Sequence, residues 1–294
     1  MAAPVFDRLG KVGLWTNSFR GGEQHRRQEL AAHVEELGFA AVWVPGAGLG
    51  LLDDLEVALA STSTTVWATA ILNIWAHGAA DTASWVSDMR AQFGDRLILG
   101  LGASHAEVVS RHGQTYAKPL TNLRAYVDEL EKAEPPVPAG MMMLAALGPR
   151  MLELAASRTA GAHTYLITPE HTGQARQIMG HGPMLVPELK VVLDDDSTRA
   201  REIAREGIAL YLGLDNYRRN LKRLGFSEAD RKSGGSDRLV DALVAWGDEE
   251  AVVERIREHL DAGADHVCVQ ALGPATARVD QWRRLADALP KDWR

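Results

Sequence analysis

The chain has 294 residues, of which 46% are hydrophobic and 24% are charged. That balance is typical of a globular protein and excludes a disordered chain, which combines low hydrophobicity with high charge. The net charge is −7 and the basic residues are scattered, which excludes nucleic acids and anionic membranes as expected partners. We therefore expect a small-molecule substrate.

The sequence shows neither a targeting signal nor a membrane span. Its first residues lack a basic segment followed by an apolar one, and no later run is long enough to cross a bilayer, so we expect a cytoplasmic protein. Cys268, the only cysteine, lies in the apolar run HVCVQAL and is interpreted as a core residue. A disulfide within the chain and a cysteine-rich metal site are excluded, and no metal is expected.

Short apolar runs alternate with longer segments of helical spacing, which predicts a parallel sheet built from βα units. Eight such runs favour a closed (β/α)8 TIM barrel over an open Rossmann sheet, and an αβ joint repeated at Gly38, Gly161 and Gly263 favours one domain over residues 1–294. The predicted strands are Val12 to Thr16, Ala41 to Val44, Thr65 to Leu72, Leu97 to Leu101, Met141 to Ala146, Ala162 to Ile167, Met184 to Leu193 and His266 to Ala271. The predicted helices are 24–37, 52–60, 81–92, 121–132, 149–159, 170–180, 197–212 and 249–261.

Residues 211–247 break this alternation, because they are too long for an αβ loop and are patterned as two or three short helices. Ser233-Gly-Gly-Ser is expected to be a mobile tip. We interpret the segment as an insertion after the seventh strand, lying over the C-terminal mouth of the barrel, and not as a separate domain.

Three stretches resemble the luciferase-like monooxygenase superfamily. GDRLILGLGASHAEVV, residues 94–109, resembles its fourth strand, although Asp95 stands where glycine is common. ATAILNIWAHGAADTASW resembles its third strand and helix. LAALGPRMLELAASRTAGAHTYLITPEHT, residues 144–172, resembles its fifth and sixth units in the branch that uses the deazaflavin coenzyme F420. The resemblance extends over roughly residues 10 to 275.

The resemblance implies a bacterial-luciferase-like (β/α)8 barrel that holds a flavin-type ring at the carboxyl ends of its strands, usually as a homodimer. The implied cofactor is F420, with FMN as the alternative. A non-prolyl cis peptide bond that presses against one face of the ring is also implied, and by position it joins Ala70 to Ile71.

Small residues end the fourth predicted strand, so that a ring or a ribityl chain can lie close to the backbone. The alternative is a tight turn that needs glycine for its dihedral angles. These candidate cofactor-binding residues are Gly100, Gly102, Ala103 and Ser104.

A phosphate site is predicted where Gly148-Pro149-Arg150 opens a helix after Ala145 and Ala146, since free N–H groups and a guanidinium suit an anion. The alternative is a capped helix with a solvated arginine. A second anion site is predicted at Thr168, although Glu170 beside it would repel phosphate.

His105 is the first candidate for a catalytic proton-transfer residue, because it comes three residues after Gly102 at the predicted mouth and imidazole titrates near neutral pH. His77 and His163 also lie near strand ends, and for all three the alternative is a structural histidine. Side chains at the ends of the first and third strands are expected to line the substrate pocket, or else to pack under a loop. They are Trp15, Asn17, Asn73, Trp75 and His77.

Three functions remain open at this point. The first is an oxidoreductase that transfers hydride between F420 and a small organic substrate. The second is an FMN-dependent monooxygenase of the same fold. The third is a non-catalytic barrel that binds a flavin or another ligand, because the sequence identifies no indispensable acid or base. Motifs of P-loop nucleoside triphosphatases, zinc peptidases, serine hydrolases and Rossmann dinucleotide-binding proteins are absent from the sequence.

Overall fold

Parallel strands form a barrel that helices enclose, and a computed structural model describes residues 5–46, 50–106, 109 and 115–294. The strands are β1 (Val12–Trp15), β2 (Ala41–Val44), β3 (Val66–Thr69), β4 (Leu72–Asn73), β5 (Leu97–Gly102), β6 (Met142–Ala145), β7 (Gly161–Thr164), β8 (Met184–Leu193), β9 (Val244–Gly247) and β10 (Val267–Ala271). The helices are α1 (Gln24–Glu36), α2 (Leu51–Ala60), α3 (Ala79–Phe93), α4 (Pro119–Lys132), α5 (Pro149–Arg158), α6 (Pro169–Met179), α7 (Ser197–Leu212), α8 (Asp215–Arg223), α9 (Asp237–Leu243), α10 (Glu249–Asp261) and α11 (Arg278–Ala288).

Eight strands close the barrel in the order β1, β2, β3, β5, β6, β7, β8 and β10, because β10 pairs with both β8 and β1. β4 pairs with β5 beyond the end of β3, and β9 also pairs with β8. The (β/α)8 barrel predicted from the eight apolar runs is therefore confirmed. Within the described residues, no helix is long and apolar enough to cross a membrane.

Side chains on the strands alternate between the barrel interior and the layer beneath the helices, as the two-residue period of a strand requires. On β2, Val42 and Val44 belong to the outer core, whereas Trp43 lies in the interior cluster. Cys268 belongs to the interior cluster as well and is fully buried, which confirms that it is a core residue.

Two histidines inside the barrel make structural hydrogen bonds. His266 Nδ1 donates to the carbonyl of Gly10 (3.1 Å), and its Nε2 accepts from the indole of Trp43 (3.1 Å). His163 stacks on Trp43, with ring centroids 5.1 Å apart, and its Nδ1 donates to the carbonyl of Val186 (2.9 Å). Burial lowers the pKa of each imidazole to about 4, so both are neutral near pH 7. The contacts of His163 Nδ1 and of its ring are those expected of a structural histidine, while its buried Nε2 has no partner among the described residues.

The third predicted strand, Thr65 to Leu72, is divided into β3 and β4 by a short irregular stretch. Within it a cis peptide bond joins Ala70 to Ile71, the bond that the resemblance implies. Gly100 on the neighbouring strand makes room for the chain here, because a Cβ at that position would lie 2.0 Å from the carbonyl oxygen of Thr69.

Residues 211–247 contain α8, α9 and the strand β9, which is not predicted from the sequence. β9 pairs with the carboxyl half of β8. Next to the Ser233-Gly-Gly-Ser tip, the carboxylate of Asp230 accepts hydrogen bonds from the hydroxyls of Ser227 and Ser236 and from the guanidinium of Arg238. These bonds tie the tip to the start of α9.

We predict that Gly100→Ala lowers the free energy of unfolding by about 3 kcal/mol, because the new methyl group meets a backbone oxygen that cannot turn away as a side chain would. Gly140→Ala is the control, since nothing lies within 4 Å of a Cβ added there. Urea unfolding at pH 7 measures both. Equal stability of the two variants would contradict the close approach.

Candidate active site

A row of aromatic side chains crosses the C-terminal mouth of the barrel, where the ends of parallel strands meet. Trp15 ends β1, and its ring lies 5.5 Å from that of Tyr165, which comes directly after β7. The ring of Tyr211 lies 5.1 Å from that of Tyr165 and 5.3 Å from that of Tyr217. Tyr211 and Tyr217 belong to the segment 211–247. His105 is at the far end, 5.6 Å from Tyr217. This aromatic row therefore joins the strand ends to the insertion.

An ion pair is buried inside the barrel beneath the aromatic row. Lys190 Nζ lies 2.8 Å from the Glu188 carboxylate, and their side chains are 1% and 0% exposed. Lys190 also donates to the side-chain oxygen of Gln270 (3.0 Å) and lies 3.8 Å from the ring centroid of Tyr165. Burial raises the pKa of Glu188 and lowers the pKa of Lys190, and their mutual attraction opposes both shifts.

Two tyrosine hydroxyls extend this network towards the mouth. The hydroxyl of Tyr165 lies 2.8 Å from that of Tyr211 and 3.1 Å from the side-chain oxygen of Gln270. The Tyr165 hydroxyl has one proton and can donate to only one of these two oxygens. If it donates to Gln270, the Tyr211 hydroxyl can donate to Tyr165; if it donates to Tyr211, the Tyr211 proton is directed to another acceptor. Burial raises the pKa of both tyrosines, which therefore stay protonated at neutral pH. We call Glu188, Lys190, Gln270, Tyr165 and Tyr211 the polar network.

Trp15 carries a donor that the protein leaves unused. Its side chain is 6% exposed, and among the described residues no atom accepts a hydrogen bond from the buried indole nitrogen. Buried polar groups nearly always have a partner, so an orphaned donor facing a barrel mouth indicates a place for a ligand acceptor.

The glycines at the end of β5 face the protein's own atoms. A Cβ at Gly102 would lie 2.6 Å from Ile71 Cδ1 and 3.2 Å from the Cβ of Ala145. The small volume of this residue is therefore needed by the neighbouring chain, as it is at Gly100. Ser104 adopts a φ of +58°, which turns the loop after β5.

Four predicted pocket residues lie after β1 or at and after the end of β4. The backbone N–H of Trp75 donates to Asn73 Oδ1 (3.1 Å) within the loop after β4. The Trp75 indole donates to the carbonyl of Ala103 (2.7 Å) and so joins this loop to the one after β5. His77 is half-buried, and burial together with the charge of Arg20 lowers its pKa. Asn17 is exposed.

The start of α5, where an anion site is predicted, is a helix N-terminus without a side-chain cap. Gly148 is the N-cap residue without a side-chain cap, and Pro149 and the exposed Arg150 come next. A Cβ at Gly148 would lie 3.6 Å from both terminal nitrogens of Arg223, which reaches over from α8. Arg223 Nη2 donates to the carbonyl of Leu147 (3.3 Å). Within the described part of the chain, no carboxylate pairs with Arg223.

Asn220 supports this arginine and has a spare donor of its own. Its Oδ1 accepts from Arg223 Nη2 (2.9 Å), while its buried Nδ2 has no acceptor among the residues that the structure describes. The side chain is almost fully buried, at 1% exposure of the residue. Sequence reasoning missed both residues, because they lie far along the chain from Gly148 and no local motif marks them.

Two predicted cofactor-binding residues have other roles for their side chains. Ala146 belongs to the outer core, because β6 alternates and directs Ala145 inward instead. Thr168 caps α6: it is 3% exposed, and its hydroxyl oxygen accepts from the backbone N–H of His171 (3.4 Å). A hydrogen bond to Thr168 holds the side chain of Glu170 at the same helix start and lowers the pKa of that carboxyl.

Within the described ranges, no three His, Cys, Asp or Glu side chains are grouped so that they could hold a metal ion. The groups gathered at the mouth are instead aromatic rings, hydrogen-bond donors and guanidinium ions. In (β/α)8 barrels, functional sites lie at this C-terminal end of the strands.

The family model described as luciferase-like monooxygenase matches residues 11–135 and 130–266. The chain belongs to this family, whose members are oxidoreductases and monooxygenases. No curated protein matches the chain closely enough to count as a relative.

Several solved structures share the fold of this chain, although their sequence identity to it is low. An F420-dependent secondary alcohol dehydrogenase, in complex with an F420–acetone adduct, is 15% identical with a TM-score of 0.75, over 96% of this chain and 99% of that one. The coenzyme F420-dependent tetrahydromethanopterin reductase of Methanopyrus kandleri is 16% identical with a TM-score of 0.73, over 98% and 100%. The FMN-bound oxygenating constituent of 3,6-diketocamphane monooxygenase from Pseudomonas putida is 13% identical with a TM-score of 0.69, over 95% and 96%. These likenesses show the fold alone.

We predict that Lys190→Met lowers the free energy of unfolding by about 3 to 5 kcal/mol, because it leaves the buried Glu188 carboxyl without its partner. The matched control is the double variant Glu188→Gln, Lys190→Met, which removes both charges and should recover most of the loss. Urea unfolding at pH 7 compares them. If the single variant is as stable as the double variant, the pair is not ionised inside the barrel.

Proposed function

We propose that the chain is an oxidoreductase that transfers hydride between F420 and a small organic substrate. The observation that carries the proposal is the start of α5, where an uncapped helix N-terminus and the Arg223 guanidinium lie side by side. Such a site suits the phosphate of a flavin-type cofactor, because N–H groups, helix dipole and guanidinium all favour an anion.

The remaining cofactor contacts would come from residues around the barrel mouth. Ala70, Ala103 and Ala145 would border the ring, since they leave little side-chain volume at the strand ends, and Ile71 would border it at the cis peptide bond. The orphaned indole N–H of Trp15 would donate to the cofactor or to the substrate. We propose that the aromatic row keeps water away from the reacting atoms.

F420 carries hydride when it is reduced and accepts hydride when it is oxidised. A carbonyl substrate also needs a proton on its oxygen, and an alcohol substrate must lose one. We propose that the Tyr211 hydroxyl moves this proton, while Tyr165 and Gln270 hold the hydroxyl in place and Lys190 stabilises negative charge that develops there. His105 is the second candidate for the same role, at the other end of the row.

An FMN-dependent monooxygenase is the second candidate function. FMN has the same ribityl phosphate, and one similar structure contains FMN. We prefer F420 because residues 144–172 resemble the F420-dependent branch and because two of the similar structures are F420-dependent enzymes.

We predict that F420 binds to the purified protein more tightly than FMN. Arg223→Gln and Arg150→Ala should each weaken F420 binding by about 5- to 100-fold, the usual loss for one charge-assisted hydrogen bond. Arg219→Gln is the control, because that side chain is exposed on the same helix and pairs with Asp215. Quenching of cofactor fluorescence and calorimetry measure the dissociation constants. Binding of FMN without binding of F420 would favour the second candidate function.

We predict that Tyr211→Phe lowers the turnover of carbonyl substrates by about 100-fold, the usual worth of a positioned proton donor. Tyr217→Phe is the matched control, because it lies in the same row but its hydroxyl bonds to Asn216 rather than to the polar network. The assay monitors oxidation of reduced F420 with a panel of small ketones and aldehydes. A large loss in His105→Asn with normal turnover in Tyr211→Phe would assign the proton to the histidine.

A further inference from the structure

A cavity of about 520 Å³ lies beyond the predicted phosphate site, between the start of α6 and the insertion. Its wall includes Thr168, Glu170 and Gln174 from the α6 side, and Arg223, Phe226 and Arg238 from the insertion. We call it the arginine cavity. Neither the polar network nor the aromatic row contributes to its lining among the described residues.

Arg223 connects this cavity with the phosphate site. Its guanidinium lies beside Gly148 at the start of α5, and the same side chain lines the cavity. The groups that accept its hydrogen bonds are neutral: the carbonyl of Leu147 and the amide oxygen of Asn220. A ligand phosphate at Gly148 would thus lie beside a side chain that also lines the arginine cavity, and a group attached beyond the phosphate would have room there.

Arg238 gives the cavity a second guanidinium. It stacks over the Phe226 ring at 4.5 Å and donates through Nη2 to Asp230 (2.7 Å) and to the carbonyl of Gly225 (3.2 Å). Its side chain is 59% exposed, and in the described residues nothing accepts from its Nη1. The stacking and the ion pair hold the group in place, so its remaining donors are oriented for a carboxylate.

F420 and FMN differ in the groups attached beyond the phosphate. FMN ends there, whereas F420 continues through a lactyl group into glutamyl units, each of which carries a carboxylate. We propose that the arginine cavity binds the carboxylates of this glutamyl tail through Arg238 and Arg223. This inference rests on the proposed function, because a protein that uses FMN has no tail to place in the cavity.

Glu170 adds a negative charge to the arginine cavity, which lowers the affinity expected for an anionic tail. Glu170 lines the cavity, and hydrogen bonds from Thr168 and from the backbone at the start of α6, together with the charge of Arg255, lower the pKa of its carboxyl. A tail carboxylate would be repelled by this charge. The net attraction is therefore moderate, and removal of the Glu170 charge should increase it.

The test compares two forms of oxidised cofactor: F420 with several glutamates, and the same cofactor without glutamate, which keeps the phosphate and the lactyl group. Dissociation constants are measured by fluorescence quenching with the full chain. We expect the glutamylated form to bind about 5- to 10-fold more tightly, as two partly exposed ion pairs allow. The difference should shrink as salt is added, because salt screens exposed charges.

Three variants locate the effect. Arg238→Gln should reduce the difference between the two forms to less than about 2-fold while leaving the form without glutamate unchanged. Glu170→Gln should enlarge the difference by about 3-fold. Arg219→Gln, outside the cavity, should leave it unchanged. If Arg238→Gln unfolds because the ion pair with Asp230 is lost, the effect of Glu170→Gln on the difference between the two cofactor forms still tests the tail site.

The outcomes separate the inference from the proposed function. Equal binding of both forms by the unchanged protein would overturn the tail site and leave F420 dependence intact. A difference that survives Arg238→Gln and does not respond to Glu170→Gln would place the tail elsewhere and overturn the inference. Binding of FMN alone, or of neither F420 form, would overturn the proposed function together with the tail site.

Discussion

Lys190 and Glu188 form a buried ion pair inside the barrel, and the arrangement of the side chains at the mouth depends on this pair. Neither charge can be removed singly without leaving the other unpaired in a place that water does not reach. Lys190 therefore fixes its neighbours: Gln270 must present its oxygen, and Tyr165 must lie with its ring against the ammonium. Tyr165 in turn positions Tyr211 through their hydroxyl contact. One side of the mouth is thus built around charge, and the opposite side is built from glycine and alanine.

The alternation of apolar runs and helical segments was enough to predict the barrel, because each buried strand and each helix carries its own local pattern. β9 was missed for the opposite reason. Its four residues continue directly from α9, and only their pairing with β8 makes them a strand. The division of the third predicted strand also depends on surroundings rather than local preference, since Gly100 and Gly102 on β5 provide the space that its backbone and Ile71 occupy.

The candidate site was only partly visible in the sequence. Gly148-Pro149-Arg150 is a local signal for a helix start, but Arg223 and Asn220 reach it from another helix, and no pattern near Gly148 points to them. Glu188 and Lys190 did carry a signal. Two charged residues spaced by two in the apolar run MLVPELKVVL must share one face of a strand. The structure places that face inside the barrel, because the alternate residues Leu189 and Val191 belong to the outer core. The roles of His105 and Arg150 stay predictions.

The pairing of β9 with β8 also limits how the entrance can open. Residues 211–247 leave the barrel through α7, which packs on it, and return through a strand that is hydrogen-bonded to it. A segment fastened at both ends cannot swing outward as a hinged cover. Passage of a ligand must come from a local shift of α8 and Tyr217 relative to these two anchors, so the shape of the opening is set by the few residues between them.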